Sequence, residues 1–315
     1  MRVSFRGHGL GRMVANQVVS VSLGSSSRDA RVEVNLLGER LLISRMGTDG
    51  DFRRAMSLIR SLDGRVGAIG LGGVNLHLRF GARRWALRDG LRLAGAAART
   101  PVVDGSGLKD SVESDVVAYL ESTGVIPLAG QGVLVTSVLD RYELTMALAR
   151  AGARIIVGDP LLALGLPFTF PTLATFGLAA SLAMPVLSRL PIGWLYPTGG
   201  SGGKRKVPPR GAKQFFGQAR VIAGDFHFLR RHLPSDLRGK AVLASTLTPE
   251  DVRELLRRGA GPVVSLYPSL GGRCFGANVM EALLAVLAGL KGLEPGPATY
   301  RHLWRELGFY PSVFT

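Results

Sequence analysis

The chain predicts an α/β fold built from two units, and three observations carry that expectation. Val133 to Asp159 reads as strand, turn, helix, strand. An apolar run (Val133 to Val138) leads into a helix-period stretch stopped at Gly152, and a second run (Arg154 to Val157) ends at Gly158-Asp159. Apolar runs and amphipathic stretches alternate on both sides of that segment, the pattern of mostly parallel sheets with helices on their faces. The length of 315 residues favours two cores over one.

The elements follow in order. Val18 to Leu23 is a strand, and Arg31 to Ser44 a hairpin turning at Leu37-Gly38-Glu39. Asp51 to Leu62 is a helix with Phe52, Ala55, Met56, Ile59 and Leu62 on one face. Val66 to Leu71 reads as a buried strand, Trp85 to Ala98 as a helix and Thr100 to Val103 as a short strand. A helix over Asp110 to Ser122 leads into the Val133 segment. Beyond it, strands are expected at 221–223, 241–245 and 263–266, with helices at 226–232, 249–258 (capped by Thr248) and 277–290. The expected divisions are a disordered extension over 1–16, one unit over 17–120, a second over 121–290 and a tail over 291–315.

From Pro160 to Gly203 the only charged residue is Arg189. That run is long enough to span a bilayer, but Pro167, Pro171, Pro185 and Pro191 cut it into pieces shorter than one span. A buried helical pair serving as lid or dimer contact is therefore preferred to a membrane helix. The basic stretch GGSGGKRKVPPRGAK follows directly. An apolar insert and basic loop over 160–213 also fit peripheral contact with an anionic membrane.

Composition narrows the function. The net charge of +16 comes mostly from scattered Arg, and no nucleic-acid-binding motif accompanies it, so the expected partner is a small anion and not a specific nucleic acid. One cysteine, Cys274, excludes an intrachain disulfide and reads as a small buried hydrophobe. With no signal-peptide pattern at the N-terminus, the expected compartment is cytoplasmic. His8, His77, His227, His232 and His302 lack the spacing of metal ligands or of a hydrolytic triad.

Chemistry is expected at strand ends, where open α/β sheets bind ligands. Three Gly/Ser/Asp clusters stand there: residues 24–27, 47–51 and 104–109. Asp104 and Lys109 flank a Gly-x-Gly turn and can converge on one substrate hydroxyl, Lys109 as acid/base and Asp104 orienting it. The Val133 to Asp159 segment is one βαβ unit of a doubly wound nucleotide-binding fold, and Asp159 stands where an acidic residue accepts hydrogen bonds from an adenosine ribose. With no basic residue immediately after it, Asp159 favours NAD over NADP.

The DGSGL of residues 104–108 resembles the Asp-Gly-x-Gly element of shikimate and quinate dehydrogenases. GANVMEA (276–282), VVSLYPSL (263–270) and GVNLHLRF (73–80) are similar to further segments of that family, in the same order. VSLGSS, GTDGD, DGSGLK and the segment around GANVMEA are also shared with a group of bacterial proteins named quinate 5-dehydrogenases. The resemblance implies a Rossmann-like NAD-binding domain over 121–290 and a substrate domain over 17–120. It implies Asp104 as a catalytic residue and Ser25, Ser27, Asn75 and Glu281 as substrate contacts, while the family's catalytic lysine, expected shortly after the GVNLHLRF segment, is missing there, so that Lys109 would take its role from a different position. Ser137, Leu139, Arg141, Asp159 and Thr246 would touch the cofactor.

Two departures stand out. No Lys occurs before Lys109, and the family's glycine-rich cofactor turn is replaced by Thr136-Ser137-Val138-Leu139-Asp140-Arg141, where Asp140 would repel a pyrophosphate and Arg141 could offset it. The expected activity is an NAD-dependent dehydrogenase for a cyclic hydroxy-carboxylic acid. The alternative is a non-catalytic Rossmann-like protein that binds a nucleotide or phosphometabolite.

Overall fold

The first strand, β1 (Gln17–Ser22), carries Val18, Val19 and Val21 and is buried along almost its whole length, which places it inside a sheet. The computed structural model describes residues 16–166, 168–191 and 212–315. The expected extension (apart from Asn16) and most of the basic loop lie outside the described residues. The chain continues through β2 (Ala30–Leu36) and β3 (Glu39–Gly47), an antiparallel hairpin whose turn at Leu37 and Gly38 takes two positive φ angles. Helix α1 (Phe52–Leu62), capped by Asp51, crosses to β4 (Ala68–Gly72). β1 then lies between β3 and β4, parallel to both.

The sequence pattern misreads the next stretch. Trp85 belongs to a hairpin of β5 (His77–Phe80) and β6 (Arg83–Ala86), and only α2 (Arg88–Ala94) of the expected helix is present. The hairpin is held from outside its own sheet. Arg79 N donates to the Leu139 carbonyl at 2.9 Å, and Phe80 meets the rings of Tyr142 and Phe176 edge-on at 5.2 and 5.8 Å. Sequence periodicity cannot see such partners. β7 (Val102–Val103) completes the first sheet, in the order β2-β3-β1-β4-β7.

Helix α3 (Ser106–Thr123) leads to the second sheet and starts one turn earlier than its periodicity suggests. Gly105 is the reason: its φ is +94°, and a Cβ there would collide with Ala277 and the Asn278 backbone. The second sheet starts with β8 (Gly132–Val135), α4 (Tyr142–Arg150) and β9 (Arg154–Val157). A π-type turn over Asp159–Ala163 follows, then α5 (Leu173–Leu187), opened by a Thr172 capping box. α5 is the one long helix among the described residues of the insert, where a pair was expected. No helix among the described residues is long and apolar enough to cross a membrane.

After α6 (Ala212–Gln218) come β10 (Val221–Asp225), α7 (Phe226–His232), β11 (Ala241–Ser245), α8 (Pro249–Arg257) and β12 (Val263–Ser265). A small hairpin, β13 (Ser269–Leu270) and β14 (Arg273–Cys274), precedes α9 (Ala277–Leu290). The expected tail over 291–315 holds α10 (Pro297–Glu306) and β15 (Ser312–Phe314), which pairs antiparallel with β12. Trp304 anchors that end, edge-on to Tyr267 at 6.1 Å and to Phe309 at 5.2 Å.

The protein is therefore mixed α/β, with a Rossmann-like, mostly parallel second sheet in the order β15-β12-β11-β10-β8-β9. Strand order reverses at β8, and in the first sheet at β1. α9, buried on nearly every side, follows the second sheet in sequence but packs on β1, β4 and β7 of the first. A mostly apolar helix needs cover on nearly every face, and the first sheet together with α3 and α10 supplies it.

Candidate functional site

The carboxyl ends of the central strands of both sheets open on one cleft of about 240 Å³. Ser22, Gly24, Ser25, Ser27 and Arg28 reach it after β1, Asn75 after β4, and Asp104 after β7. Lys109 comes from the first turns of α3, Ser137, Asp140 and Arg141 from the turn after β8, and Asp225 and His227 from the end of β10. Ser25, Ser27, Asn75, Asp104, Lys109, Ser137 and Arg141, named from sequence, thus line a common cavity. Leu139, Asp159, Thr246 and Glu281 do not line it.

Lys109 does not pair with Asp104. Its Nζ lies 2.5 Å from Asp140 Oδ1, with both side chains largely buried. Asp140 is stabilised as the anion: burial works against this, but Lys109, Arg141 and a hydrogen bond from Asn75 hold its pKa below the usual carboxylate range. Asp104 is committed to the backbone instead. Its two oxygens accept the N–H groups of Leu76 (2.5 Å) and Ser106 (3.0 Å), pinning the loop that presents Asn75 to the start of α3.

Arg141, expected to face a cofactor, is turned into the protein. Its guanidinium pairs with Glu113 and donates to Tyr267 Oη (3.0 Å) and Ser245 Oγ (2.7 Å), with Arg141 and Glu113 both almost wholly buried. Tyr267 Oη in turn donates to Glu113 at 2.7 Å. Glu113 stands one turn after Lys109 on α3, so this network fixes the height at which Lys109 enters the cleft. Burial is the leading influence on Glu113, raising its pKa, and it does the same to the Tyr267 hydroxyl. The Arg141 guanidinium is held charged by its anionic neighbours despite burial.

The turn after β8 does not fit a dinucleotide held in the Rossmann manner. In that manner a pyrophosphate takes the N–H groups at the start of the helix. Here the Asp159 carboxylate takes two N–H groups of the turn that leads into α4, accepting from Val138 N at 2.8 Å and from Leu139 N at 3.5 Å. Asp159 therefore stands in for the anion and is not free for a ribose. Burial pushes its pKa up to about 7, only partly opposed by those two hydrogen bonds. Leu139 and Asp159 face a second, apolar cavity of about 150 Å³, closed by Phe168, Phe170, Phe176 and Met184 of the insert. Side chains also fill the place of the missing glycines: a Cβ at Gly224, at the end of β10, would strike Thr136.

Two further expectations change. Glu281 is buried behind the Asp104-Gly105 turn, where burial first and the charge of Asp104 second push its pKa up to about 8. Thr246 has a positive φ of 65°, and its carbonyl accepts from Arg28 Nη2 at 2.6 Å, so it closes the seam between the units.

Residues 107–315 match the model described as Domain of unknown function (DUF8754). The chain belongs to the DUF8754 family. Residues 17–104 match a second model, Domain of unknown function (DUF8753). No curated protein matches the chain. Among solved structures it is similar to a sugar ABC transport substrate-binding protein of Bordetella parapertussis 12822, at 13% identity and TM-score 0.33, over 89% of this chain and 82% of that one. It is similar to an NAD-dependent malic enzyme of Thermotoga maritima, at 14% identity and TM-score 0.33, over 93% and 84%. It is also similar to the L-tryptophan dehydrogenase of Nostoc punctiforme, at 13% identity and TM-score 0.30, over 92% and 86%. At that level none of their activities transfers to this chain.

The DUF8754 part supplies the cleft residues that sequence reasoning missed: Asp140 as partner of Lys109, and His227, Arg230 and Arg231 from α7. A signal existed for His227. Asp225 and His227 stand at the end of a predicted strand, the position from which ligands are bound, although His227 has no ligand or triad spacing. In the cleft wall burial drives its pKa down to about 4, Arg28 and Arg45 acting in the same direction, so its imidazole is neutral at pH 7.

Proposed function

We propose that this cleft binds a small hydroxy-carboxylic acid of the quinate or shikimate type, and that Lys109 transfers a proton at one of its hydroxyls. The observation that supports this reading is the buried Lys109–Asp140 pair at the meeting point of both strand-order reversals, with Asn75, Ser25 and Ser27 in the same cavity. Ser25 and Ser27 hydroxyls, 2.9 Å apart and exposed, suit a carboxylate. The Lys109 ammonium, held by Asp140, gives a proton to a substrate oxygen, and in reverse the neutral amine collects it. Asp104 acts as a positioning residue through Leu76 and Ser106.

Oxidation of that hydroxyl by NAD, as the resemblance implies, is the fuller form of the proposal. The β8 turn argues against seating the cofactor in the family's way, so the chain's own residues account for binding and proton transfer alone. One observation favours a second reading, a binding protein without turnover: Asp159 already occupies the anion seat of the turn. Incubation with quinate, shikimate and related acids, with and without NAD or NADP, separates the two. Reduced-nicotinamide absorbance or a new product by NMR supports the enzyme. Saturable binding without conversion supports the second reading, and the absence of binding by all the acids refutes both.

A further inference from the structure

We infer that one corner of the cleft, between the Gly24–Arg28 loop and α7, is a seat for a phosphate dianion, so that the natural ligand is a small phosphorylated hydroxy acid. This deepens the proposal above and rests on it for the second, Lys109-facing end of the ligand.

The corner has a fixed cationic wall. Arg28 lines the cleft although only 8% of it is exposed. Its Nη2 is spent on Asp251 (2.8 Å) and the Thr246 carbonyl, while its Nε is buried without a hydrogen-bond partner. Arg45 and Arg273 lie close behind it. Arg45 donates to Asp29, to the Ser25 carbonyl and to Ser22 Oγ, bracing the serine loop from the rear. Arg273 Nη2 donates to the Arg28 carbonyl at 2.6 Å. Burial first, with Arg273 and Arg28 adding to it, lowers the pKa of Arg45 to about 10 against the pull of Asp29. Three crowded guanidiniums held by Asp29 and Asp251 form a positive field that an anion in the cleft relieves.

The cleft lining adds cationic side chains from α7. Arg230 is exposed and has no ion-pair partner among the described residues, and Arg231 stands beside it. His227, neutral at pH 7, offers an N–H without adding charge. Asp225, the carboxylate on this side, is engaged as the cap of α7, accepting from His227 N at 2.9 Å. Ser25 and Ser27 complete the set with hydroxyls, so the phosphate takes the place given above to a carboxylate.

Several forked donors suit a group with three acceptor oxygens and two charges better than a carboxylate with two oxygens and one. A cavity of about 240 Å³ also suits a small metabolite better than a nucleotide.

The test is calorimetric titration of the full chain with inorganic phosphate, glycerol 3-phosphate, acetate and AMP, beside flotation with phosphatidic-acid vesicles. Phosphate and glycerol 3-phosphate are expected to bind at one site, acetate far more weakly. Arg230→Gln with Arg231→Gln should weaken phosphate roughly tenfold or more. Ser27→Ala, a change on an exposed loop, should weaken it by a smaller factor. Absence of phosphate binding, equal affinity in the arginine variant, AMP binding tighter than glycerol 3-phosphate, or binding confined to the vesicles each overturns the inference. Quinate and shikimate titrated in parallel keep the two proposals apart. Phosphate binding without any acid binding leaves this seat standing and removes the hydroxy-acid reading.

Discussion

The two strand-order reversals face the same cleft and have opposite fates. At β1 the loops after the strands stay open: Ser25, Ser27 and Asn75 present side chains to solvent-filled space, and the Asp104 carboxylate is tied to two backbone N–H groups that shape the opening. At β8 the corresponding turn is closed, because Asp159 caps its N–H groups and Phe170 and Phe176 of the insert cover its outer side. One topology therefore yields an edge whose loops stay open and an edge whose turn has its N–H groups taken, although Ser137, Asp140 and Arg141 of that turn still line the cleft. Topology places a ligand site, but the side chains at the turn decide whether anything can enter.

Variants can break this contrast, the largest effect falling where charge is deepest. Glu113→Gln removes the nearest anion of the buried Arg141 guanidinium, leaving Asp140 and Asp225 at 3.7 and 3.9 Å, and urea unfolding should show a loss of about 3–5 kcal/mol. Lys109→Met should cost slightly less, about 3 kcal/mol, because Asp140 keeps Asn75 and Arg141 as partners. If the cleft is an active site, the same variant should lower turnover about a hundredfold or more, read as kcat at saturating acid. Asp159→Ala unseals the β8 turn at a cost of about 1–3 kcal/mol, and a gain in affinity for NAD would show that the carboxylate was the obstacle. Ser25→Ala and Ser27→Ala should change stability by less than about 0.5 kcal/mol while weakening binding of the hydroxy acid.

Acid titration sharpens the comparison further, since Asp140, within the turn, and Asp159, hydrogen-bonded to it, respond in opposite senses. Asp140 has a folded pKa below its unfolded value. Its ionised form stabilises the fold above the unfolded value, and that contribution is lost as pH falls through the folded one. Asp159 has a folded pKa of about 7, above the ordinary aspartate value of 3.8. Between those values the native state binds the extra proton, so stability relative to Asp159→Asn should rise as pH falls from about 7 toward 4. Against wild type, Asp159→Asn should fall behind as pH drops from about 7 toward 4, whereas Asp140→Asn should keep a constant gap there and narrow it only below about 4. Parallel curves would mean that the two ends of the turn do not differ electrostatically.

Much of the fold was legible because it rests on local pattern. Alternating runs gave β1, the β2–β3 hairpin, α1, the β8-α4-β9 unit and α7 nearly to the residue, each with its own apolar face or cap. The β5–β6 hairpin was not, because its stability comes from Leu139, Tyr142 and Phe176, far away in sequence. Nor was the ordered end of the chain, which is anchored by Trp304 against Tyr267. At the site, the DGSGLK segment pointed to Lys109. It misassigned the partner, since Asp104 was near in sequence while Asp140 was near in space.

The sequence by itself determined most of the elements, that their turns carry Ser, Asp and Lys at strand ends, and that the surface favours anions. These depend on composition, periodicity and turn chemistry, which act over a few residues. Only the tertiary structure decided that Lys109 meets Asp140, that Arg141 is consumed by Glu113 and Tyr267, and that Asp159 fills the turn where a phosphate would have sat. Each of those outcomes is a contest among several charged groups for one partner, and distance in space, which the linear order does not contain, settles it.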